Sequence, residues 1–191
     1  MLDTSPASAE NSFDVVVVGG GPAGSTVATL LARREGPAVW ECSHIGGDRF
    51  AATLLLFPHG INYGRADVLD AGQMVDEYRA GRVMLAGLRG RSAYRFLEQT
   101  AQDAARRTFG DLRIEAYEPI SSVPTAPGHW QVLLAGPAGP LAGSPGQLAD
   151  PAGRIQVELA QTATAPLFSN CAATVPLAVP TFAVQTVTQL A

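Results

Sequence analysis

The chain of 191 residues is long enough for one large domain or two small ones, and for a buried core. Hydrophobic residues make up 47% of it and charged residues 16%, which is typical of a folded globular protein and not of a disordered one. Thirteen basic and seventeen acidic residues give a net charge of −4. Broad nucleic-acid binding needs a concentrated basic surface, so we expect none.

The two cysteines, Cys42 and Cys171, are too few for a disulfide framework or for an all-cysteine cluster. We therefore expect a reducing, cytoplasmic setting. Residues 1–12 lack the basic and apolar regions of a signal peptide. The apolar tracts 15–32 and 159–191 contain Gly and Pro where a spanning helix would need continuity, so we expect no membrane span.

The first predicted elements form a compact βαβ unit. The β-branched run Phe13–Val18 indicates a buried strand, and a glycine-rich turn follows it. A helix is predicted over Ser25–Arg34, ended by Gly36 and Pro37, and a second strand over Ala38–Glu41. The unit is about thirty residues long, the size expected of a βαβ motif.

The remaining chain predicts a helix-plus-antiparallel-sheet pattern. A hairpin is expected around Pro58–Gly60, and Arg82–Leu88 is a short strand or a connector. Apolar spacing predicts helices over Ala66–Ala80 and Ala93–Phe109, the second capped by Gly110. The predicted strands are Ala51–Phe57, Ile61–Arg65, Leu112–Val123, Trp130–Leu134, Arg154–Ala163 and Phe182–Val187.

These elements predict an α/β fold divided into three parts. Residues 1–12 form a polar lead-in, and residues 13–81 form the site-bearing region. Residues 82–191 form a smaller α+β extension, with a Gly/Pro-rich loop at 136–153.

The glycine-rich turn matches G-x-G-x-x-G between a strand and a helix, the context that a dinucleotide fingerprint requires. Gly19 makes the tight turn, Gly21 lets the backbone approach a pyrophosphate, and Gly24 lets helix and strand pack closely. Glu41 lies seventeen residues after Gly24, near the spacing of an acid that holds the adenosine ribose hydroxyls. FDVVVVGGGPAGSTVATLLARR resembles the opening of FAD-dependent oxidoreductases of the geranylgeranyl-reductase and halogenase kind. The resemblance covers residues 13–36 and implies the ADP half of FAD as ligand.

A second pattern begins where the first ends. WECSHIGGDRF reads as a strand end that runs into a Gly-Gly turn beside a thiol, an imidazole and a carboxylate. With LLLFPHGINYGR, EYRAGRV, LRGRS and the following helix, it resembles the sucrase/ferredoxin-like family, which is related to thioredoxin-like ferredoxins. This resemblance spans about residues 39–171 and implies a partial thioredoxin-like layer and a [2Fe–2S] cluster with mixed Cys and His ligation.

The family resemblance implies a role for each residue of the turn. His44 corresponds to a ligand position, and Asp48 stands where some relatives carry a second His. Gly46 and Gly47 would direct backbone N–H groups toward cluster sulfur. A carboxylate is a hard ligand for iron–sulfur chemistry, and the family's preceding cysteine segment is replaced by the βαβ unit. Cys42 and His44 leave the ligand set incomplete, and Cys171 would have to reach in from the tail.

The other candidate residues give weaker patterns. His59 is expected at the surface of a hairpin turn, and His129 begins a strand. An arginine group predicts a solvated face or a docking surface for an acidic redox partner protein. It comprises Arg89, Arg91, Arg95, Arg106 and Arg107.

Three functions therefore stay open. The leading hypothesis is a redox, electron-transfer protein of the sucrase/ferredoxin-like type. The first alternative is an FAD-binding oxidoreductase domain. The second is a fused remnant without a cofactor, for which the junction at residues 36–39 is the main support. The sequence does not indicate an oligomeric state.

Overall fold

The computed structural model describes residues 15–18, 22–42, 50–66, 70–136, 153–168 and 174–190. Within these ranges the chain is a mixed α/β protein with three α-helices, one 3₁₀ turn and two sheets. The first sheet has five strands in the order β2-β1-β3-β4-β5, and the second has four in the order β6-β7-β8-β9.

The first sheet begins with a parallel pair of strands joined by a helix. Strand β1 spans Val15–Val18, helix α1 spans Pro22–Glu35, and strand β2 spans Val39–Cys42. Proline is favoured in the first turn of a helix because its missing N–H has no intrahelical partner there. Helix α1 gives way at Gly36, which has φ +64°, to the 3₁₀ turn Gly36–Ala38. The predicted strand, helix and strand are thus confirmed as elements.

Three antiparallel strands complete this sheet. Strand β3, Thr53–Leu56, pairs with β1 and forms the predicted hairpin with β4, Ile61–Tyr63. Strand β5, Leu88–Arg91, pairs with β4. The sequence predicted a short strand or a connector over Arg82–Leu88 and no strand after it, because Gly90 and two arginines carry no strand pattern of their own. The pairing with β4 is a tertiary effect, which overrides local propensity.

Helix α2, Ala71–Arg79, covers the first sheet beside α1. The side chain of Asp70 caps it by accepting a hydrogen bond from the backbone N–H of Gln73 at 3.0 Å. Met74, Val75 and Tyr78 are buried at the spacing of one helix face. They pack with Val27 and Leu31 of α1 and with Leu54 and Leu56 of β3 in the first of two cores.

Helix α3, Phe96–Phe109, packs against the second sheet. A capping box begins it, because the Glu98 carboxylate accepts a hydrogen bond from the backbone N–H of Arg95 at 2.8 Å. Gly110 ends it in the left-handed conformation, with φ +79°. The helix predicted over Ala93–Phe109 with Gly110 as its cap is confirmed, apart from three residues at its start.

The strand predicted over Leu112–Val123 is wrong in its first half. The chain turns through residues 113–117, and strand β6 begins at Pro119 and ends at Ala126. The Asp111 carboxylate accepts a hydrogen bond from the backbone N–H of Arg113 at 3.0 Å, and Tyr117 adopts φ +63°. A left-handed residue cannot continue a strand, so the turn delays the sheet.

The second sheet is antiparallel throughout its described strands. Strand β7 spans His129–Ala135, β8 spans Arg154–Ala163 and β9 spans Pro180–Leu190. Val132, Leu134, Ile155, Val157 and Leu159 point to the α3 side and form the second core with small residues of that helix. The predicted strands at 130–134, 154–163 and 182–187 are confirmed, the last being longer than expected. Most of the predicted loop 136–153 lies outside the described residues.

The α/β class is therefore confirmed, while a thioredoxin-like layer stays a prediction. The first sheet extends to Arg91 and so crosses the proposed division at residues 81 and 82. The division into domains also stays a prediction.

Candidate functional site

Three of the predicted site residues lie in the described structure: Gly24, Glu41 and Cys42. The other six lie outside the described residues, as does Cys171. Those six are Gly19, Gly21, His44, Gly46, Gly47 and Asp48.

Two of the described residues, Glu41 and Cys42, lie at the carboxyl end of β2, and Gly24 lies in the first turn of α1. Strands β1 and β2 run parallel, with Val17 opposite Glu41 and Val18 opposite Cys42. Their carboxyl ends therefore lie side by side, and α1 begins four residues after β1 ends. In α/β sheets this edge is the usual place for a ligand, because helix N-termini and loops converge there.

Gly24 is buried in the first turn of α1. Val27, Ala28 and Leu31 continue the buried face of the helix, each at most 6% exposed. A small residue in the first turn lets a helix approach the sheet closely, which is the role predicted for Gly24.

Glu41 is exposed and lies next to the first turns of α1. Its Oε1 accepts a hydrogen bond from the Ser25 hydroxyl at 2.8 Å, and both side chains face solvent. An ionised carboxylate has two oxygens and about four acceptor positions, and the one hydrogen bond that the described residues make to Glu41 leaves capacity for a ligand hydroxyl. The sequence predicted the place of Glu41 but gave no role to Ser25.

Cys42 lies on the opposite face of the sheet from Glu41. Successive side chains of a strand point to opposite faces, and the contact with Ser25 fixes Glu41 on the α1 side. Cys42 is half-buried as the last residue of β2. Glu41 and Cys42, one from each of the two sequence patterns, thus lie on different faces of the same strand.

The metal ligands predicted from the sequence are not brought together by the described residues. In those ranges, no three His, Cys, Asp or Glu side chains are grouped in a way that could hold a metal ion. Of the predicted cluster ligands only Cys42 is described, and a [2Fe–2S] cluster needs four. The other predicted ligands, His44, Asp48 and Cys171, lie outside the described residues, so the cluster stays a prediction.

Two depressions flank helix α1. A cavity of about 220 Å³ lies between α1 and the start of α2, lined by residues that include Ala23, Thr26, Ala66 and Asp70. An open groove of about 480 Å³ follows the exposed side of α1 and includes Ser25 and Thr29 in its lining. Ser25, one of the residues that line the open groove, contacts Glu41.

His59 is not simply a surface residue, as the sequence suggested. It is half-buried, and its Nδ1 lies 2.7 Å from the hydroxyl of Tyr78, whose pKa is raised by burial. The guanidinium of Arg91 donates to the backbone carbonyl of His59 at 3.0 Å and to the carboxylate of Glu118 at 2.8 Å. Tyr78 could have indicated this contact, since a tyrosine on the apolar face of a helix needs a partner for its hydroxyl.

Glu118 also accepts a hydrogen bond from the hydroxyl of Tyr94. Burial and then the hydrogen bond to the Glu118 carboxylate raise the pKa of Tyr94 to about 12. Both tyrosines are therefore neutral at physiological pH. The hydrogen bonds that Arg91 and Tyr94 make to His59 and Glu118 thus connect the hairpin, β5 and the start of β6.

The arginine group does not form one solvated face. Arg91, Arg95 and Arg107 pair with Glu118, Glu98 and Asp103, respectively. Arg106 is only 4% exposed, and one of its guanidinium nitrogens donates to the backbone carbonyls of Arg113, Ile114 and Ala116 at 3.1–3.4 Å. Burial lowers the pKa of this guanidinium. Arg106 is thus a structural residue, and the prediction of an exposed side chain is wrong for it.

Comparisons with known proteins found no relative of this chain. No protein-family model matches the chain, and neither a search of curated proteins nor a search of solved structures found a match. None of the helices in the described part of the chain combines the length and apolar character needed to cross a membrane.

Proposed function

We propose that this protein is an oxidoreductase domain that binds FAD through the adenosine diphosphate half at β1, α1 and β2. The carrying observation is the exposed carboxylate of Glu41, held by Ser25 beside the first turns of α1. It stands at the end of the second of two parallel strands, where the fingerprint spacing requires an acid.

The residues present fit the charges of that ligand. The N-terminus of α1 carries a partial positive charge, which suits a pyrophosphate, and Gly19 and Gly21 precede it in the sequence. Glu41 would accept hydrogen bonds from the ribose hydroxyls. FAD, when bound, supplies hydride and single-electron chemistry. The chain's own part in this proposal is to bind and orient the nucleotide.

Binding of FAD and ADP to the purified full chain tests this proposal. We expect saturable binding of both by calorimetry. Glu41→Gln should weaken the affinity for ADP about tenfold, because it removes a charge-assisted acceptor. Glu158→Gln is the matched control, since Glu158 is exposed on β8 in the other sheet. A wild-type chain that binds neither FAD nor ADP would overturn the proposal.

A second candidate is electron transfer through a [2Fe–2S] cluster, with a redox partner protein. The half-buried thiol of Cys42, two residues before His44 and four before the Gly-Gly pair, favours it. Anaerobic reconstitution with iron and sulfide, followed by iron and sulfide assays, tests this candidate. Cys42→Ser and His44→Ala should each abolish the visible absorption. A colourless wild-type protein after reconstitution would eliminate it.

A further inference from the structure

The contact between Ser25 and Glu41 crosses from α1 to β2. Its oxygen-to-oxygen distance of 2.8 Å is that of a good hydrogen bond, and the hydroxyl is the donor because an ionised carboxylate can only accept. The two residues are sixteen positions apart, so the contact is tertiary and depends on how the helix packs against the strand.

The contact contributes little to folding. Both side chains are exposed, and a hydroxyl at the surface exchanges its partner for water at small cost. Serine is also a poorer helix former than alanine, so nothing in the stability of α1 requires it. The value of the contact is in what it does to the carboxylate, which would otherwise sample several rotamers.

We propose that Ser25 is a positioning residue that holds Glu41 in the rotamer that receives the ribose of an adenine nucleotide. This inference rests on the proposed function and deepens it. A carboxylate already ordered by Ser25 loses less conformational entropy when a ligand arrives. The ligand class that benefits is an adenine nucleotide with free 2′ and 3′ hydroxyls, because these are the donors that the carboxylate can accept.

Two nucleotides that differ only in their ribose hydroxyls can distinguish a positioning role of Ser25 from a general structural role. The test compares the affinities of the full chain for ADP and for 2′,3′-dideoxy-ADP, which lacks the two hydroxyls. Ser25→Ala should weaken ADP binding about threefold to tenfold, the range of one net hydrogen bond. The same variant should bind dideoxy-ADP within about twofold of wild type, because that ligand does not use Glu41.

Two further variants complete the design. Ser25→Thr keeps the hydroxyl and should retain the affinity for ADP. Thr29→Ala removes a hydroxyl one turn further along the exposed side of α1 and should leave both affinities unchanged. Urea unfolding of each variant checks that the fold is intact.

The outcomes separate the two proposals. A wild-type chain that binds no ADP overturns the proposed function, and this inference with it. Wild-type binding of ADP combined with an unchanged affinity in Ser25→Ala overturns the inference alone. An equal loss for ADP and dideoxy-ADP also overturns it, because Ser25 would then act on the whole site and not through the ribose.

Discussion

The two sheets of this protein are built differently. Strands of the first sheet have three or four residues, whereas those of the second have seven to eleven. In the first sheet, the short strand β2 ends beside the start of α1, which brings the polar side chains of Ser25 and Glu41 together. Long antiparallel strands satisfy their backbone groups along their whole length and need only a helix to cover one face.

The buried and exposed charges differ in the same way. In the second region, which consists of α3, the turn that follows it and the second sheet, charged side chains make hydrogen bonds within the fold. Glu98 caps α3, Arg106 donates to backbone carbonyls, and Asp111 accepts from the backbone of a turn. In the first region Glu41 is exposed and keeps acceptor capacity beside α1. The second region is organised as a scaffold, and the first carries the candidate site.

Truncating one core leucine in each region should give the largest effects. Leu31 of α1 and Leu134 of β7 are both fully buried. Each change to Ala should lower the free energy of unfolding by about 2–5 kcal/mol, because it loses apolar burial and leaves a cavity. Only Leu31→Ala should also weaken ADP binding, since α1 carries Ser25. Urea titration and calorimetry measure the two quantities.

Leu30→Ala is the control for the first pair, because Leu30 is next to Leu31 but 53% exposed. It should change the free energy of unfolding by no more than about 0.5 kcal/mol. Equal losses of ADP affinity in folded Leu31→Ala and Leu134→Ala would contradict the separation of roles.

Arg106→Met should lower the free energy of unfolding by about 1–3 kcal/mol, because it leaves carbonyls in the 113–116 turn without their donor. These carbonyls include Ile114 of the first core and Ala116 of the second, so the change tests how the regions are joined. Arg107→Met, which removes an exposed pair with Asp103, should cost about 0.5 kcal/mol or less. An Arg106→Met variant as stable as wild type would show that the junction between the two regions does not depend on Arg106.

Local patterns in the sequence were sufficient for most helices and for the place of Glu41. Helix α3 was predictable because its apolar spacing and Gly110 are properties of the segment itself. Strand β5 was not predicted at Leu88–Arg91, because only its pairing with β4 makes this segment a strand. Ser25 was missed because a hydroxyl on an exposed helix face carries no periodic pattern.

The spacing of polar residues on α3 indicates that Arg106 is buried. Glu98, Gln102 and Arg106 are spaced four apart, which places them on one helix face beside Ala101 and Ala105. All of these residues are buried. A polar row next to alanines can be buried when turn carbonyls supply partners, and the Gln102 amide does donate to the carbonyl of Tyr117 at 3.0 Å.

Acid should weaken the scaffold through Glu98. Burial alone would raise the pKa of this carboxyl, but hydrogen bonds from Arg95 and Ser122 outweigh it and hold the pKa below its ordinary value. Its stabilisation is therefore complete above the unfolded pKa, about 4.3, and is lost as pH falls through the folded value. Glu98→Gln should cost on the order of 1 kcal/mol at pH 7 and less at pH 3, which lies below the unfolded pKa.

Urea midpoints at both pH values measure this effect. Glu158→Gln is again the control and should differ from wild type equally at the two pH values, because Glu158 is exposed on β8. A Glu98→Gln penalty that persists unchanged at pH 3 would show that the loss comes from shape and not from the charge.

Two glycines that end helices should give the smallest effects and the sharpest comparison. Gly36 follows α1 with φ +64°, and Gly110 follows α3 with φ +79°. An added Cβ would meet nothing within 4 Å at either position, so substitution by Ala adds backbone strain without a clash. Each should cost about 1 kcal/mol. Gly110→Asn should cost less, because Asn tolerates the left-handed conformation.

Amide hydrogen exchange shows whether these costs stay local. If the regions open independently, Gly36→Ala should speed exchange in α1 and leave α3 unchanged, and Gly110→Ala should do the reverse. Equal acceleration in both helices by either variant would mean that the two sheets open as one cooperative unit. The scaffold would then set the stability of the candidate site directly, and Leu134→Ala should weaken ADP binding as well.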